Sequence, residues 1–306
     1  MMKYEPEGRK IDRAENAAAL KSCQSLRQAM TDRRVLEARA VLCDASHNLV
    51  VDLGCMKGVI PRECCATGIS DGSVRDIAII SRVGKPVCFY IERLADDNRG
   101  VPYAVLSRRA VQEECQSEYL DNLEAGDVID ARVTHLEAFG AFVDIGCGIP
   151  SLIKIDSISV SRISHPRDRF LVDMDIRAVV RAVDDGRISL SHRELLGTWE
   201  ENAAFFRPGE TVTGVVRSAE DYGIFVELTP NLAGLAEFRE GCFPGCGVSV
   251  FVKSLIPERM KVKLVLVNMF RLDDPPPPPH YFFTGTHMSR FVYSPPGAEK
   301  VIETVF

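Results

Sequence analysis

One pattern of short apolar segments recurs along this chain, and that recurrence constrains the fold more than any other feature. Its clearest copy reads GDVIDARVTHLEAFGAFVDIGCGIPSLIKIDSI and closes with DIRAVVRAVDDGRISLSHREL. A later copy reads GETVTGVVRSAEDYGIFVELTPNLAGLAEF and closes with VSVFVKSLIPERMKVKLVLVN. A fainter copy precedes both, with RRVLEARAVLCDASHNLVVDLGCMKGVIPRE, KPVCFYIERL and PYAVLSRRAV. Such a repeat indicates that each copy is one structural unit of the same kind.

Each copy consists of short segments rich in Val and Ile, separated by Gly, Asp, Asn and Pro. Segments of this kind are typical of β-strands, and about five of them with glycines at the bends favour a small antiparallel barrel. We therefore predict an all-β fold of three tandem five-stranded barrels, joined by short helices and preceded by an N-terminal helix. The extra stretch CCATGISDGSVRDIAIISRVG in the first copy predicts a long loop between its third and fourth strands.

The copies and the stretches between them divide the chain into successive segments. These are, in chain order, an N-terminal helical segment (1–31), a degenerate barrel (32–108), a helical linker (109–125), a second barrel (126–195), a linker (196–208), a truncated third barrel (209–270) and a proline spacer with a C-terminal segment (271–306). Proline runs continue neither helix nor sheet, so DDPPPPPHYFF predicts an extended spacer. The segment after it is too apolar for a disordered tail, which favours packing on the third barrel.

Aromatic side chains occupy an unexpected position in the second strand of two copies. In EAFGAFVDIG, the alternation of a strand places Phe142 and Asp144 on one face and Val143 on the other. In EDYGIFVELT it places Phe225 with Glu227 in the same way. Because a carboxylate on a strand face usually indicates solvent, we expect both phenylalanines to point outward with their carboxylates.

A glycine precedes each of these phenylalanines by two residues. Side chains three apart normally point to opposite faces of a strand, but a bulge or kink at Gly140 or Gly223 can return them to one face. The sequence therefore predicts two exposed aromatic pairs, which are Phe139 with Phe142 and Tyr222 with Phe225.

Charge limits the classes of function that fit this chain. The formal net charge is −6, whereas a protein that binds phosphate by unspecific attraction is normally basic. Nucleic-acid binding would therefore have to depend on stacking rings with a few local cations. No apolar run approaches bilayer-spanning length and no secretory signal is visible at the N-terminus, so we expect a soluble, cytoplasmic protein without membrane contact.

Enzyme and metal chemistry find little support in the sequence. No nucleophile elbow, phosphate loop or two-histidine metal motif occurs, and we predict a protein without catalytic activity and without a cofactor. The ten cysteines are mostly single among apolar neighbours, as expected of reduced thiols. Cys242 and Cys246 have a spacing that zinc could use, but no second pair of ligands follows them, and we expect no metal site.

The motifs FGAFVDIG, GIPSLIKI and GRISLSHREL resemble the S1 RNA-binding domain, an oligonucleotide-binding (OB-fold) barrel. Three such repeats joined by helices are similar to the family of bacterial small-subunit ribosomal protein S1, over roughly residues 32 to 270. This resemblance implies S1-type OB-fold barrels that bind single-stranded RNA. Members of the family that attach to the ribosome help to capture messenger RNA.

The resemblance also implies an RNA face made of the two strand-two rings, a basic group on strand three and further cations. Carried over to this sequence, these are Phe139, Phe142, Lys154, Arg162, His165 and Arg187 in the second copy, with Tyr222, Phe225 and Lys253 in the third. The third copy departs from the pattern because Glu237 stands where the second has Lys154. The first copy has His47 and Val50 in place of the rings, so we expect it to contact protein.

Several of these residues also have purely structural interpretations. Linker helices or a neighbouring barrel could cover Phe142 and Phe225, and Arg187 could pair with a nearby aspartate in a solvated turn. His165 could be an ordinary loop residue. Trp199 is better interpreted as a packing anchor between barrels than as a stacking platform.

The leading hypothesis is a non-catalytic protein that binds single-stranded messenger RNA in translation at the small ribosomal subunit, with no specificity for DNA. A hypothesis of another class is a protein-interaction scaffold whose barrels have lost RNA binding. A redox or metal-dependent enzyme that uses Cys242 and Cys246 is a third and weaker hypothesis.

Overall fold

A computed structural model describes residues 3–184, 186–272 and 274–306 of the chain. It confirms the predicted fold, since it consists of three closed five-stranded barrels with a few short helices. The chain divides into two compact units, Met1–Leu123 with Asp144–Pro150, and Glu124–Val143 with Ser151–Phe306.

The N-terminal helical segment is two helices where one was predicted. Helix α1 covers Ala14–Leu20 and α2 covers Cys23–Thr31. Ser22 lies between them in an extended conformation, and its hydroxyl accepts the backbone N–H of Ser25 in a capping box. A serine in this role satisfies free N–H groups at a helix start, and it therefore begins a new helix.

The first barrel follows the order β1-β2-β3-β5-β4. Its strands are β1 (Leu36–Cys43), β2 (Leu49–Asp52), β3 (Lys57–Ile60), β4 (Pro86–Asp96) and β5 (Pro102–Ser107). The insertion between β3 and β4, predicted as a long loop, contains the short helix α3 (Ile77–Ile80). Ile69 and Ile79 of this insertion are buried in the barrel core, so it is a packed part of the first unit.

The second barrel repeats this arrangement after helix α4 (Arg108–Glu118), whose first turn is capped by the Ser107 hydroxyl. Its strands are β6 (Val128–Glu137), β7 (Gly140–Asp144), β8 (Pro150–Lys154), β9 (Asp175–Asp184) and β10 (Arg187–Ser191). They close in the order β10-β8-β7-β6-β9, with β8 and β10 parallel.

The third barrel follows the short helix α5 (Trp199–Ala203) and closes with all five strands. These are β11 (Thr211–Glu220), β12 (Gly223–Thr229), β13 (Leu232–Ala236), β14 (Gly247–Ile256) and β15 (Lys261–Phe270). The connection 237–246 between β13 and β14 is shorter than the connection 155–174 at the same place in the second barrel.

The C-terminal segment belongs to the second unit and packs on the third barrel, in agreement with its apolar composition. It forms a two-stranded sheet of β16 (Arg290–Val292) and β17 (Glu303–Val305). Phe291 and Tyr293 are buried in the same core as the third barrel, and the Tyr293 hydroxyl donates to the backbone oxygen of Asn231 at 2.6 Å.

Candidate nucleic-acid interface

Two pairs of aromatic rings lie on the surface of the second unit, as the sequence predicts. The rings of Phe139 and Phe142 are 5.9 Å apart at 88°, and those of Tyr222 and Phe225 are 6.2 Å apart at 85°. Phe139 is 56% exposed and Tyr222 is 71% exposed, whereas Phe142 and Phe225 are half-buried. Each pair therefore has the edge-to-face geometry that aromatic rings prefer, with one ring largely open to solvent.

The glycines between the paired rings are required by a close approach of the next strand. A Cβ on Gly140 would lie 2.4 Å from the backbone oxygen of Ile153, and one on Gly223 would lie 2.7 Å from that of Ala236. Only glycine avoids this clash, so it lets β7 and β12 begin directly against their neighbours.

The expectation that Asp144 and Glu227 face solvent is wrong. Asp144 is 3% exposed and Glu227 is 6% exposed. Asp144 accepts the backbone N–H groups of Glu7, Gly146 and Gly148, and burial raises the pKa of its carboxyl. Buried carboxylates are tolerated when they are hydrogen-bonded or paired. The two carboxylates therefore do not mark a solvent-facing side of these strands. Phe142 and Phe225 alternate with the core residues Val143 and Val226, and they are half-buried.

Glu227 is neutralised by two arginines. Its carboxylate forms ion pairs with Arg169, from the connection between β8 and β9, and with Arg217 on β11. Arg217 is bidentate, with distances of 2.7 Å from Nε and 3.0 Å from Nη2. These contacts place the connection of the second barrel on the third barrel.

His135 on β6 joins the ring pair of the second barrel, and the sequence analysis missed it. Its ring centroid lies 6.3 Å from that of Phe142, and its Nε2 lies 2.6 Å from Oε1 of Glu137. The side chain is exposed. Pairing between the first two strands could have indicated it, because Ser218, the corresponding residue of the third barrel, lies directly opposite Phe225.

The strand-three positions of the two barrels correspond as predicted. β8 pairs with β10 through Leu152 and Ser189, and β13 pairs with β15 through Leu235 and Lys263. Lys154 and Glu237 therefore occupy the same place, two residues after Leu152 and Leu235. Both are exposed, so one barrel presents a cation beside its rings and the other an anion.

The other predicted cations are on the surface but do not touch the rings in the described part of the chain. Arg187 and Lys253 are exposed on β10 and β14. Arg162 lines a cavity of about 420 Å³ together with Tyr293 and Glu303 of the C-terminal segment. His165 is half-buried, and its Nδ1 accepts the backbone N–H of Arg167 at 3.1 Å.

The first barrel lacks a ring pair at the equivalent place. Leu42 pairs with Val50 across a bulge, as Ser218 pairs with Phe225 in the third barrel. Val50 is buried, and His47 lies in the preceding turn with a φ of 62°. The first barrel therefore has Val50 at the position that Phe225 occupies in the third barrel.

Three further predictions concern packing, cysteines and membranes. Trp199 is buried among core residues of the second unit, which confirms its interpretation as a packing anchor. All ten cysteines lie in the described ranges as free thiols, and the Cys242 sulfur lies 3.1 Å from that of Met269. Among the described residues no group of His, Cys, Asp and Glu could hold a metal ion, and no helix is long and apolar enough to cross a membrane.

Comparison with known proteins identifies the family of the second barrel. The family described as S1 RNA binding domain matches residues 122–193. The small ribosomal subunit protein bS1 of Staphylococcus aureus (strain COL) is 31% identical over 227 residues, which are 72% of this chain and 55% of that protein. The bS1 protein of Staphylococcus epidermidis is 32% identical over the same shares. The chain thus spans about half the length of the curated relatives it matches.

A solved structure is also similar to part of this chain. The solution structure of GSP13 from Bacillus subtilis matches 24% of this chain and 57% of that protein, at 32% identity and a TM-score of 0.23.

Proposed function

The chain belongs to the proteins that carry S1 RNA-binding domains, and from this premise we propose that it binds single-stranded RNA by stacking bases on its two ring pairs. The observation that supports the proposal is the recurrence of an exposed edge-to-face pair at the same place in the second and third barrels. Every base has a π-face, so stacking is tolerant of sequence and contributes roughly 1–3 kcal/mol per base.

Local cations supply the remaining affinity in this proposal. Lys154, Arg187 and Lys253 are exposed, and their side chains form no hydrogen bond or ion pair among the described residues. Phosphate contacts from such groups release counterions, so binding should weaken as salt rises. Because only a few cations serve each barrel and the chain carries a net charge of −6, we expect a shallow salt dependence.

The role of this binding follows from the relatives. We infer that the RNA is messenger RNA, that the protein acts in translation at the small ribosomal subunit in the cytoplasm, and that it catalyses no reaction. In this proposal the second and third barrels hold RNA. The first barrel and the N-terminal helices contact protein, because the first barrel has Val50 where the others have a ring.

The proposal is tested by fluorescence-anisotropy titration of unstructured single-stranded RNA at two salt concentrations. The wild type is compared with a variant in which Phe139, Phe142, Tyr222 and Phe225 are all alanine. Phe205→Ala is the matched control, because Phe205 is an exposed ring of the same unit that contacts Phe282 outside the barrels. Loss of binding in the four-ring variant alone supports stacking; equal binding by all three proteins refutes it.

A protein-interaction scaffold is the second candidate function, and the outer surface of the third barrel favours it. Leu235, Val265 and Val267 are exposed there, and so is Glu237. Aliphatic side chains stack poorly on bases but are ordinary components of protein contacts. Co-sedimentation with ribosomes that resists ribonuclease, together with absence of RNA binding by the purified wild type, would favour the scaffold.

A further inference from the structure

The connection between β8 and β9 of the second barrel is attached to the third barrel by its backbone. The N–H of Ser161 donates to the backbone oxygen of Pro230 at 3.0 Å, and its hydroxyl donates to that of Thr229 at 3.3 Å. The N–H of Val160 donates to Oδ1 of the fully buried Asn231 at 3.0 Å. The first part of the connection thus lies at the end of β12.

The last part of the connection is attached by charge. Arg169 pairs with Glu227, and Asp168 lies 3.5 Å from Nη1 of Arg217. The side chains of Arg169 and Glu227 are almost fully buried. Ion pairs that are buried and held at several points fix the geometry of the groups that form them, so residues 164–169 have a defined position on the third barrel.

That position is next to the ring pair of the third barrel. Glu227 follows Phe225 by two residues on β12, so the two side chains are neighbours on the same face of the strand. Arg217 is adjacent in sequence to Ser218, which pairs with Phe225. The connection therefore runs along β12 from Thr229 to the row of side chains beside Phe225.

Of the two arginines in residues 164–169, Arg169 is paired with Glu227 and Arg167 has no ion-pair partner among the described residues. Arg167 is exposed, it lies between residues that are anchored, and its side chain forms no hydrogen bond or ion pair among the described residues. Its backbone N–H is held by His165, which fixes the turn. Strand three of the third barrel presents Glu237 where that of the second barrel presents Lys154, so a cation from outside that strand would offset this carboxylate.

We propose that residues 164–169 of the second barrel form part of the RNA face of the third barrel, and that Arg167 binds the phosphate of a nucleotide stacked on Tyr222 and Phe225. This inference rests on the proposed function and assigns one cation of the second barrel to the ring pair of the third barrel. In this arrangement an RNA strand stacked on the ring pair of the third barrel also contacts the second barrel, so the two barrels share one face.

A double-mutant cycle in the full chain tests this assignment. Arg167→Ala is combined with the double variant Tyr222→Ala/Phe225→Ala and separately with Phe139→Ala/Phe142→Ala, and the affinity for single-stranded RNA is measured by anisotropy at several salt concentrations. In the wild-type background, Arg167→Ala should weaken binding and reduce the slope of log K against log salt by about 0.7, the value for one phosphate contact to a single strand. Arg207→Ala, an exposed arginine of the linker between these barrels, should change neither.

The two ring-pair variants show which ring pair Arg167 acts with. The effect of Arg167→Ala should persist without the rings of the second barrel and disappear without Tyr222 and Phe225. The opposite pattern, equal effects in both backgrounds, or no effect in the wild type would overturn the assignment while leaving RNA binding intact. Failure of the wild type to bind RNA would instead refute the proposed function. Thermal unfolding of each variant verifies that the comparison is made between folded proteins.

Discussion

At the scale of single residues, the second barrel differs from the third by one ring. The ring of His135 lies beside that of Phe142 and makes a group of three rings, whereas the third barrel has Ser218 at that place. The contact with Glu137 orients the imidazole. An aromatic surface that is already oriented loses less rotational freedom when a base stacks on it, so the second barrel should be the stronger RNA site.

Substitutions at these two positions should change RNA affinity in opposite directions. His135→Ala removes the third ring and should weaken binding by up to about tenfold, the equivalent of roughly 1.4 kcal/mol. Ser218→His adds a ring beside Phe225 and should strengthen binding in a protein whose second-barrel rings are alanine. Anisotropy titration measures both effects, and an unchanged affinity in both variants would show that this position does not contact RNA.

A second residue-scale property is the burial of Glu37 on β1. Its Oε2 accepts the backbone N–H groups of Gly8, Lys10 and Ile11, whereas its Oε1 is buried without a partner among the described atoms. Burial, together with the nearby charge of Glu7, raises the pKa of Glu37 from 4.5 to about 7. Below pH 4.5 the carboxyl is protonated in both the folded and the unfolded chain, so its full contribution to stability is present there.

Between pH 4.5 and 7 the folded chain holds this proton and the unfolded chain does not, so the contribution of Glu37 to stability is lost as the pH rises. The loss should be on the order of 3 kcal/mol.

Hydrogen exchange of the β1 amides reports the stability of the first unit. In Glu37→Gln, which keeps an acceptor oxygen without the charge, this stability should fall less over the same pH range. Parallel curves for wild type and variant would contradict the assignment, and Glu63→Gln, at an exposed position, is the control.

At the scale of elements, the sequence predicts what depends on neighbours along the chain. The three barrels, the ring pairs and the equivalence of Lys154 and Glu237 follow from strand alternation and from the repeat. The burial of Asp144 and Glu227 does not, because their partners Glu7 and Arg169 belong to segments far away in the sequence. His135 was missed for a similar reason, since strand pairing and not spacing brings it beside Phe142.

Among the contacts between elements, the ion pairs of Glu227 should have the largest effect on stability. Glu227→Gln leaves Arg169 buried without its charged partner, and loss of one member of a buried pair destabilises by roughly 3–5 kcal/mol. The only tryptophan, Trp199, is buried in the core of the second unit and reports its unfolding through fluorescence in urea. Glu237→Gln, on the exposed surface of the same barrel, should leave the midpoint unchanged; equal midpoints for both variants would show that the Arg169 contact is not stabilising.

At the scale of the whole molecule, the net charge of −6 opposes the binding of RNA phosphates. General attraction to phosphate does not provide this binding, so in the proposed function the affinity comes from two ring pairs that bind the same strand. The third barrel and the second barrel without residues 144–150 belong to one compact unit, and they are joined by hydrogen bonds and buried ion pairs. A strand bound to one platform is therefore at a high effective concentration near the other.

This arrangement predicts that affinity depends on RNA length. With site sizes of roughly 4–16 nucleotides per barrel, an oligonucleotide of about 32 nucleotides covers both ring pairs and one of about 4 covers only one. The longer one should bind roughly 100-fold more tightly to the wild type. Phe139→Ala/Phe142→Ala and Tyr222→Ala/Phe225→Ala should each abolish that gain, although each keeps one intact platform. If either variant retains the full length dependence, the barrel it alters does not hold RNA, and the platform on the other barrel binds alone.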